Sequence, residues 1–279
     1  MHMFHQIIAS HYTLSIVLAG TTMLGMTAGM LGAFTFLRKQ SLLGDAISHA
    51  ALPGIALMFL FTHSNNPIVL LSGGALAGCV GIALMMLVVH KTPLKTDTIL
   101  GIVLSVFFGL GLVLLTMIQK LPLAQQSILN KFLFGNASTL LPEDLYVIGC
   151  SSMIILSCLV LFWKEFKILT FDPDFAQACG YSIQRLNIFL TALMLVAILI
   201  GLQTVGVILM STMLIAPAAA ARQWTKSLGG MVLLAGFFGA LTNGAGTLIS
   251  NAYHHLPTGP TIVIVASMVV LFSLVARRY

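Results

Sequence analysis

Leu42-Leu-Gly-Asp-Ala-Ile-Ser-His-Ala-Ala-Leu-Pro-Gly-Ile-Ala-Leu-Met-Phe-Leu-Phe-Thr62 is long and apolar enough to cross a bilayer as a helix, yet it contains Asp45 and His49. Residues at i and i+4 share one helical face, so the carboxylate and the imidazole project together. An ionisable group inside a membrane costs several kcal/mol unless it is paired or faces a polar cavity. The pair therefore marks a functional site, and its donor chemistry is that of a divalent-metal site.

The rest of the chain extends the apolar pattern. Hydrophobic residues make up 58% of the 279 positions and charged residues only 7%, against roughly 25% charged in soluble domains. Mean hydropathy is +1.04. Apolar runs fall at about 14–36, 42–62, 67–89, 98–119, 143–163, 186–202, 204–221, 228–249 and 259–276. The reading is an all-α polytopic membrane protein with eight or nine transmembrane helices, forming a single transmembrane domain over residues 1–279. The two runs between Leu186 and Ala221 are short, which leaves open two thin spans or a re-entrant hairpin. These runs use up nearly all of the 279 residues, so no soluble catalytic domain is expected.

Charge sets the expected orientation. With nine spans and the N-terminus outside, Arg38, Lys39, Lys91, Lys95, Lys164, Lys167, Arg185, Arg222, Lys226, Arg277 and Arg278 fall on the cytoplasmic side, and only Lys120 and Lys131 fall outside. The C-terminus is then cytoplasmic. The formal charge of +6 does not imply nucleic acid, because the basic residues lie in short clusters between membrane spans. Lipid is the surrounding partner. His2, His5, His11, His63, His254 and His255 map to the outer face, as ordinary loop residues or as collectors of metal. Cys79, Cys150, Cys158 and Cys179 lack CxxC spacing and read as packing residues. Residues 1–13 hold no Lys or Arg, so the first run is expected to remain as a span.

Three features favour a transit site at Asp45 and His49. Asp45 is the one acidic residue well inside an apolar run, and it has no basic neighbour to neutralise it. Pro53 has no N–H for the His49 carbonyl, so with Gly54 it is expected to loosen the helix and free that oxygen. Ala46, Ala50 and Gly54 form a small-residue stripe that admits a neighbouring helix. Two ligands alone do not hold a metal, and water, another helix or the same pair from a two-fold partner must complete the shell. Ser48, Ser211, Thr212 and Pro217 are candidate pathway residues, Pro217 freeing the Met213 carbonyl. Met210 and Met213 read as packing.

The sequence Leu43-Gly-Asp-Ala-Ile-Ser-His-Ala-Ala-Leu-Pro-Gly54 resembles the Gly-Asp-x-x-Ser-His-x-x-x-Pro-Gly signature of ABC-transporter permeases that import zinc, manganese or iron(II). Lys95-Thr-Asp-Thr-Ile-Leu-Gly101, Phe171-Asp-Pro-Asp-Phe-Ala-Gln-Ala-Cys-Gly180 and Val205-Gly-Val-Ile-Leu-Met-Ser-Thr-Met-Leu-Ile-Ala-Pro-Ala-Ala219 also fit that family, from about Arg38 to the C-terminus. The resemblance implies an importer-type homodimeric permease of a bacterial cell membrane, with metal contacted by Asp45 and His49 during passage. It implies a separate cytoplasmic ATPase and an extracellular or periplasmic metal-binding protein. It also implies a gate-forming connector at 129–138.

The resemblance further makes residues 171–184 the ATPase-coupling segment, with Asp172, Pro173, Asp174, Phe175, Ala178 and Gly180 as its contact positions. Independently, Asp172-Pro173-Asp174 has the composition of a helix start, so a short surface helix ending near Gly180 is expected. No GxxxxGK[ST] loop is present, so the chain is expected to be a transport subunit and not an enzyme. Manganese, zinc and iron(II) would be cargo, with no permanently bound cofactor. The competing reading is a proton-coupled secondary transporter in which Asp45 carries the proton.

Overall fold

The structure is a computed structural model and describes residues 2–64, 66–120, 135, 140–207, 210–253 and 256–277. Lys131, His254, His255 and Arg278 lie outside the described residues, as does the 129–138 connector apart from Gly135, and the side chains of His2, His5 and His11 are not described. Every regular element among the described residues is helical. They are α1 (His2–Leu37), α2 (Leu43–Thr62), α3 (Pro67–Lys91), α4 (Thr96–Ile118), α5 (Pro142–Leu161), α6 (Trp163–Phe171), α7 (Pro173–Ala178), α8 (Ile183–Thr204), α9 (Met210–Trp224), α10 (Leu228–Ala252) and α11 (Thr258–Ala276).

Eight of these, α1 to α5, α8, α10 and α11, are long and apolar enough to cross a membrane. The ambiguous stretch after Leu186 resolves into one full span and one short helix. The α8 helix has 22 residues. The α9 helix has 15, a length of about 22 Å against a hydrocarbon core of about 30 Å. Such a helix is tolerated at membrane depth when protein surrounds it, and α9 packs against α1, α10 and α11. Met210 and Met213 are buried packing residues, as expected. Gly206 makes the turn between α8 and α9 with a φ of 87°, a conformation suited to glycine.

Two helix groups meet around α2. One contains α1, α5, α9, α10 and α11; in the other, α3 and α4 flank α2, with α8 bridging the groups. The first group is held by backbone-close contacts between α1 and its neighbours. A Cβ at Gly25 would overlap the Gly239 carbonyl, and one at Gly32 would overlap the Leu214 carbonyl. Small residues at i and i+4 allow such approach where the apolar effect cannot distinguish helix from lipid. Next to it, Thr21 and Thr247 hydroxyls hydrogen-bond across the α1–α10 contact at 3.0 Å. The most apolar 18 residues of α2 are 72% buried, against 22–33% of those in α3, α4, α5 and α11, so the helix with the ionisable pair is also the central one.

Three sequence expectations change. The α2 helix continues through Pro53 and Gly54, so the proline removes a donor without breaking the helix. Cys79, Cys150 and Cys179 are exposed on the single chain instead of packed, and Cys158 is half-buried. The polar connector after α5 begins with an unforeseen helix, α6, whose Phe166 and Leu169 are buried.

Candidate metal-transit site

Asp45 lies in the first turn of α2, where the positive end of the helix dipole favours a carboxylate. His49 follows one turn later, and both side chains are half-buried. The His49 Nδ1 is buried without a hydrogen-bond partner. Its ring meets Phe108 of α4 edge to face, with centroids 4.8 Å apart and planes at 72°. Sequence reasoning missed Phe108, since nothing in an apolar α4 distinguishes one aromatic residue from the next.

The other candidate positions separate. Ser48 is fully buried, and its hydroxyl donates to the Gly44 carbonyl at 2.7 Å. A Cβ at Gly44 would lie 2.8 Å from Leu214 Cδ1 and 3.7 Å from the Ser211 Cα, which places the start of α9 against the start of α2. Thr212 is half-buried on α9. Pro217 instead packs on α1, its Cβ 3.3 Å from the position of a Cβ on Gly29. The predicted small-residue stripe is in contact with α3. A Cβ at Gly54 would overlap the Gly73 carbonyl, and the Ala50 Cβ lies 2.8 Å from a Cβ built on Gly81.

Among the described residues no group of three or more His, Cys, Asp or Glu is placed to hold a metal ion. Asp45 and His49 are thus two candidate donors within one chain. Carboxylate and imidazole suit first-row divalent ions, and no thiolate biases the pair toward a soft-metal site.

The polar connector forms the expected short helix, α7. Asp172 Oδ1 accepts from the Phe175 N–H at 2.9 Å, with Pro173 at the first turn. Ala176 faces inward, fully buried, whereas Phe175 is 55% exposed. Asp174 and Ala178 are exposed. Gly180 ends the segment with a φ of 85°. Behind it, Phe166 of α6 stacks on Phe189 of α8 at 5.8 Å, and Phe34 of α1 meets Phe166 at 6.0 Å and Trp163 at 6.1 Å. These rings clamp the connector onto the bundle. A cavity of about 500 Å³, lined by Gln40, Met85, His90, Gln177, Tyr181 and Asn187 among others, lies between the approach to α2 and α7. On its wall, Arg38 Nη2 donates to Asn187 Oδ1 at 2.6 Å.

An all-helical bundle built around a helix with an ionisable pair is the fold of a polytopic membrane permease. Its sequence matches the profile of the ABC 3 transport family over residues 10–277. The chain belongs to that family. It is 47% identical over 265 residues to the zinc transport system membrane protein TroC of Treponema pallidum (strain Nichols), covering 95% of this chain and 89% of that one. With the manganese transport system membrane protein MntC of Bacillus subtilis (strain 168) it shares 48% identity over 260 residues, covering 93% of this chain but 60% of the relative. Among solved structures, PsaBC from Streptococcus pneumoniae in complex with Fab superposes with a TM-score of 0.81 at 31% identity, covering 94% of this chain and 91% of that one.

Proposed function

We propose that the chain is the permease subunit of an ATP-driven importer of manganese or zinc, with iron(II) a third cargo of the same donor chemistry. The observation that carries this reading is the Asp45/His49 pair on the most buried spanning helix, in a chain with no further ligand cluster among the described residues. The named functions of the zinc and manganese relatives support it. A homodimer supplies the second Asp45/His49 pair and yields four ligands, which suit tetrahedral zinc or, with water, six-coordinate manganese.

Residues 171–184 dock a separate cytoplasmic ATPase, and a metal-binding protein delivers the ion outside. With α9 counted as a short ninth crossing, the N-terminus is outside and the C-terminus is in the cytoplasm of a bacterial plasma membrane, in keeping with the positive-inside bias. ATP binding and hydrolysis in the partner drive alternating access, and Asp45 and His49 meet the ion in transit. Ser211 and Thr212 line its route nearby, whereas Ser48 is tied to its own helix through the Gly44 carbonyl, and the donor lost at Pro53 frees the His49 carbonyl beside the ion.

The test is uptake of radiolabelled Mn²⁺ or Zn²⁺ by vesicles that contain the permease with its ATPase and binding protein. ATP-dependent uptake that survives a protonophore is expected, with loss in Asp45→Asn and His49→Ala. Wild-type rates in both variants, given normal assembly, would overturn the site. Collapse of uptake on dissipating the proton gradient while ATP remains would favour the proton-coupled alternative.

A further inference from the structure

A histidine that ligates metal through one ring nitrogen is ordinarily held by a hydrogen bond from the other, to a carboxylate, carbonyl or water. In this protein Nδ1 of His49 is buried and has no partner. Something else must fix the ring if it is to meet an ion in one orientation. The side chain in position to do so is Phe108, edge to face with the imidazole at 4.8 Å and 72°.

The surrounding helices seat this pair. Gly111 lies one turn beyond Phe108 on α4, and Leu52 lies one turn beyond His49 on α2. A Cβ at Gly111 would overlap Leu52 Cδ2, so the absence of a side chain lets α4 close onto α2 beside the ring contact. Phe108 itself is 37% exposed, so burial of the phenyl group in the chain's core is not its principal role.

We infer that Phe108 is a positioning residue for the transit site, holding the His49 imidazole by ring packing where a second hydrogen bond would ordinarily do so. This rests on the assignment of Asp45 and His49 as transit ligands. Aromatic packing leaves Nε2 as the ligating nitrogen and keeps Nδ1 dry. The ring is therefore oriented without a charged partner that would tighten the grip on the ion and slow its release. The effect belongs to metal binding more than to turnover.

The test is Mn²⁺ uptake by the permease reconstituted with its ATPase and a fixed excess of its binding protein, comparing Phe108→Leu, Phe108→Met and Phe108→Tyr, with co-purification of the ATPase as the check on assembly. Leu and Met keep apolar bulk but lack the ring, and each is expected to raise the KM for Mn²⁺ at least fivefold, a larger change than in Vmax. Tyr keeps the ring and is expected to stay within twofold of wild type. A KM within twofold of wild type in both Leu and Met, with Asp45→Asn inactive, would overturn the inference while leaving the transit site standing. Wild-type uptake by Asp45→Asn would instead remove the site on which it rests.

Discussion

Gly54 of α2 and Gly73 of α3 approach so closely that a Cβ on Gly73 would lie 2.5 Å from the Gly54 carbonyl oxygen, and a Cβ on Gly54 would overlap that of Gly73. The contact fixes α2 one turn beyond His49, immediately after the proline that releases the His49 carbonyl. Inserting a methyl group must push the helices apart, since backbone atoms on both sides cannot rotate away. Overpacking of this kind costs about 1–3 kcal/mol. Gly54→Ala and Gly73→Ala are expected to lower the thermal midpoint of the purified permease and to reduce uptake. Gly149→Ala, with no heavy atom within 4 Å of the added carbon, is the control and is expected to leave both unchanged.

Arg38 follows directly on α1 and Asn187 lies in the first turns of α8, so their 2.6 Å hydrogen bond joins the approach to α2 to the helix that follows α7. Burial pushes the Arg38 guanidinium down to about 10, which leaves it charged at neutral pH. A half-buried charge that loses its acceptor costs more than the bond was worth, on the order of 1–3 kcal/mol. Asn187→Leu is expected to lower the thermal midpoint of the detergent-solubilised protein. Adding Arg38→Met should recover part of that loss, because the charge is removed along with its partner. A double variant less stable than Asn187→Leu would contradict this account.

Asp172 caps α7 through the Phe175 N–H, while the Phe175 ring is presented outward. These two residues separate shape from contact. Asp172→Ala removes a cap worth about 1 kcal/mol and is expected to weaken coupling, seen as ATP hydrolysed per ion taken up. Phe175→Ser leaves the backbone cap in place and is expected to reduce retention of the ATPase on affinity purification. Equal retention in Phe175→Ser and wild type would place the docking contact elsewhere.

The sequence pattern reached some of these features and not others, for physical reasons. Apolar run length marks spans well, because each must satisfy its backbone within the hydrocarbon layer, and the Asp45/His49 pair stands out as an expensive exception. The acidic-proline start of α7 carried its own signal. By contrast, the run that holds α9 left a thin span and a re-entrant hairpin both open, since the place of so short a helix depends on the helices that enclose it. The Gly25-x-x-x-Gly29 spacing was a readable hint of the α1–α10 approach, although its partners Gly239 and Ala235 lie far along the chain. Phe108 was illegible because its role arises only when α4 meets α2.

Phe166 is fully buried and packs with rings from two other helices and from the junction before its own. It stacks on Phe189 of α8 at 5.8 Å and meets Phe34 of α1 at 6.0 Å. Phe162, at the junction before α6, lies 6.2 Å away. This places one side chain between the connector and two spanning helices, so on the proposed docking role its loss is expected to affect transmission as well as stability. Phe166→Ala is expected to cost about 3–5 kcal/mol from lost burial and a residual cavity, whereas Phe166→Leu fills most of the volume and costs less. The informative comparison is therefore Phe166→Leu, in which the fold persists but the ring contacts do not. In that variant the ATPase is expected to remain bound and to hydrolyse ATP, with fewer ions imported per ATP than in wild type. An unchanged ratio would mean that the aromatic cluster anchors the connector without carrying its movement to the bundle.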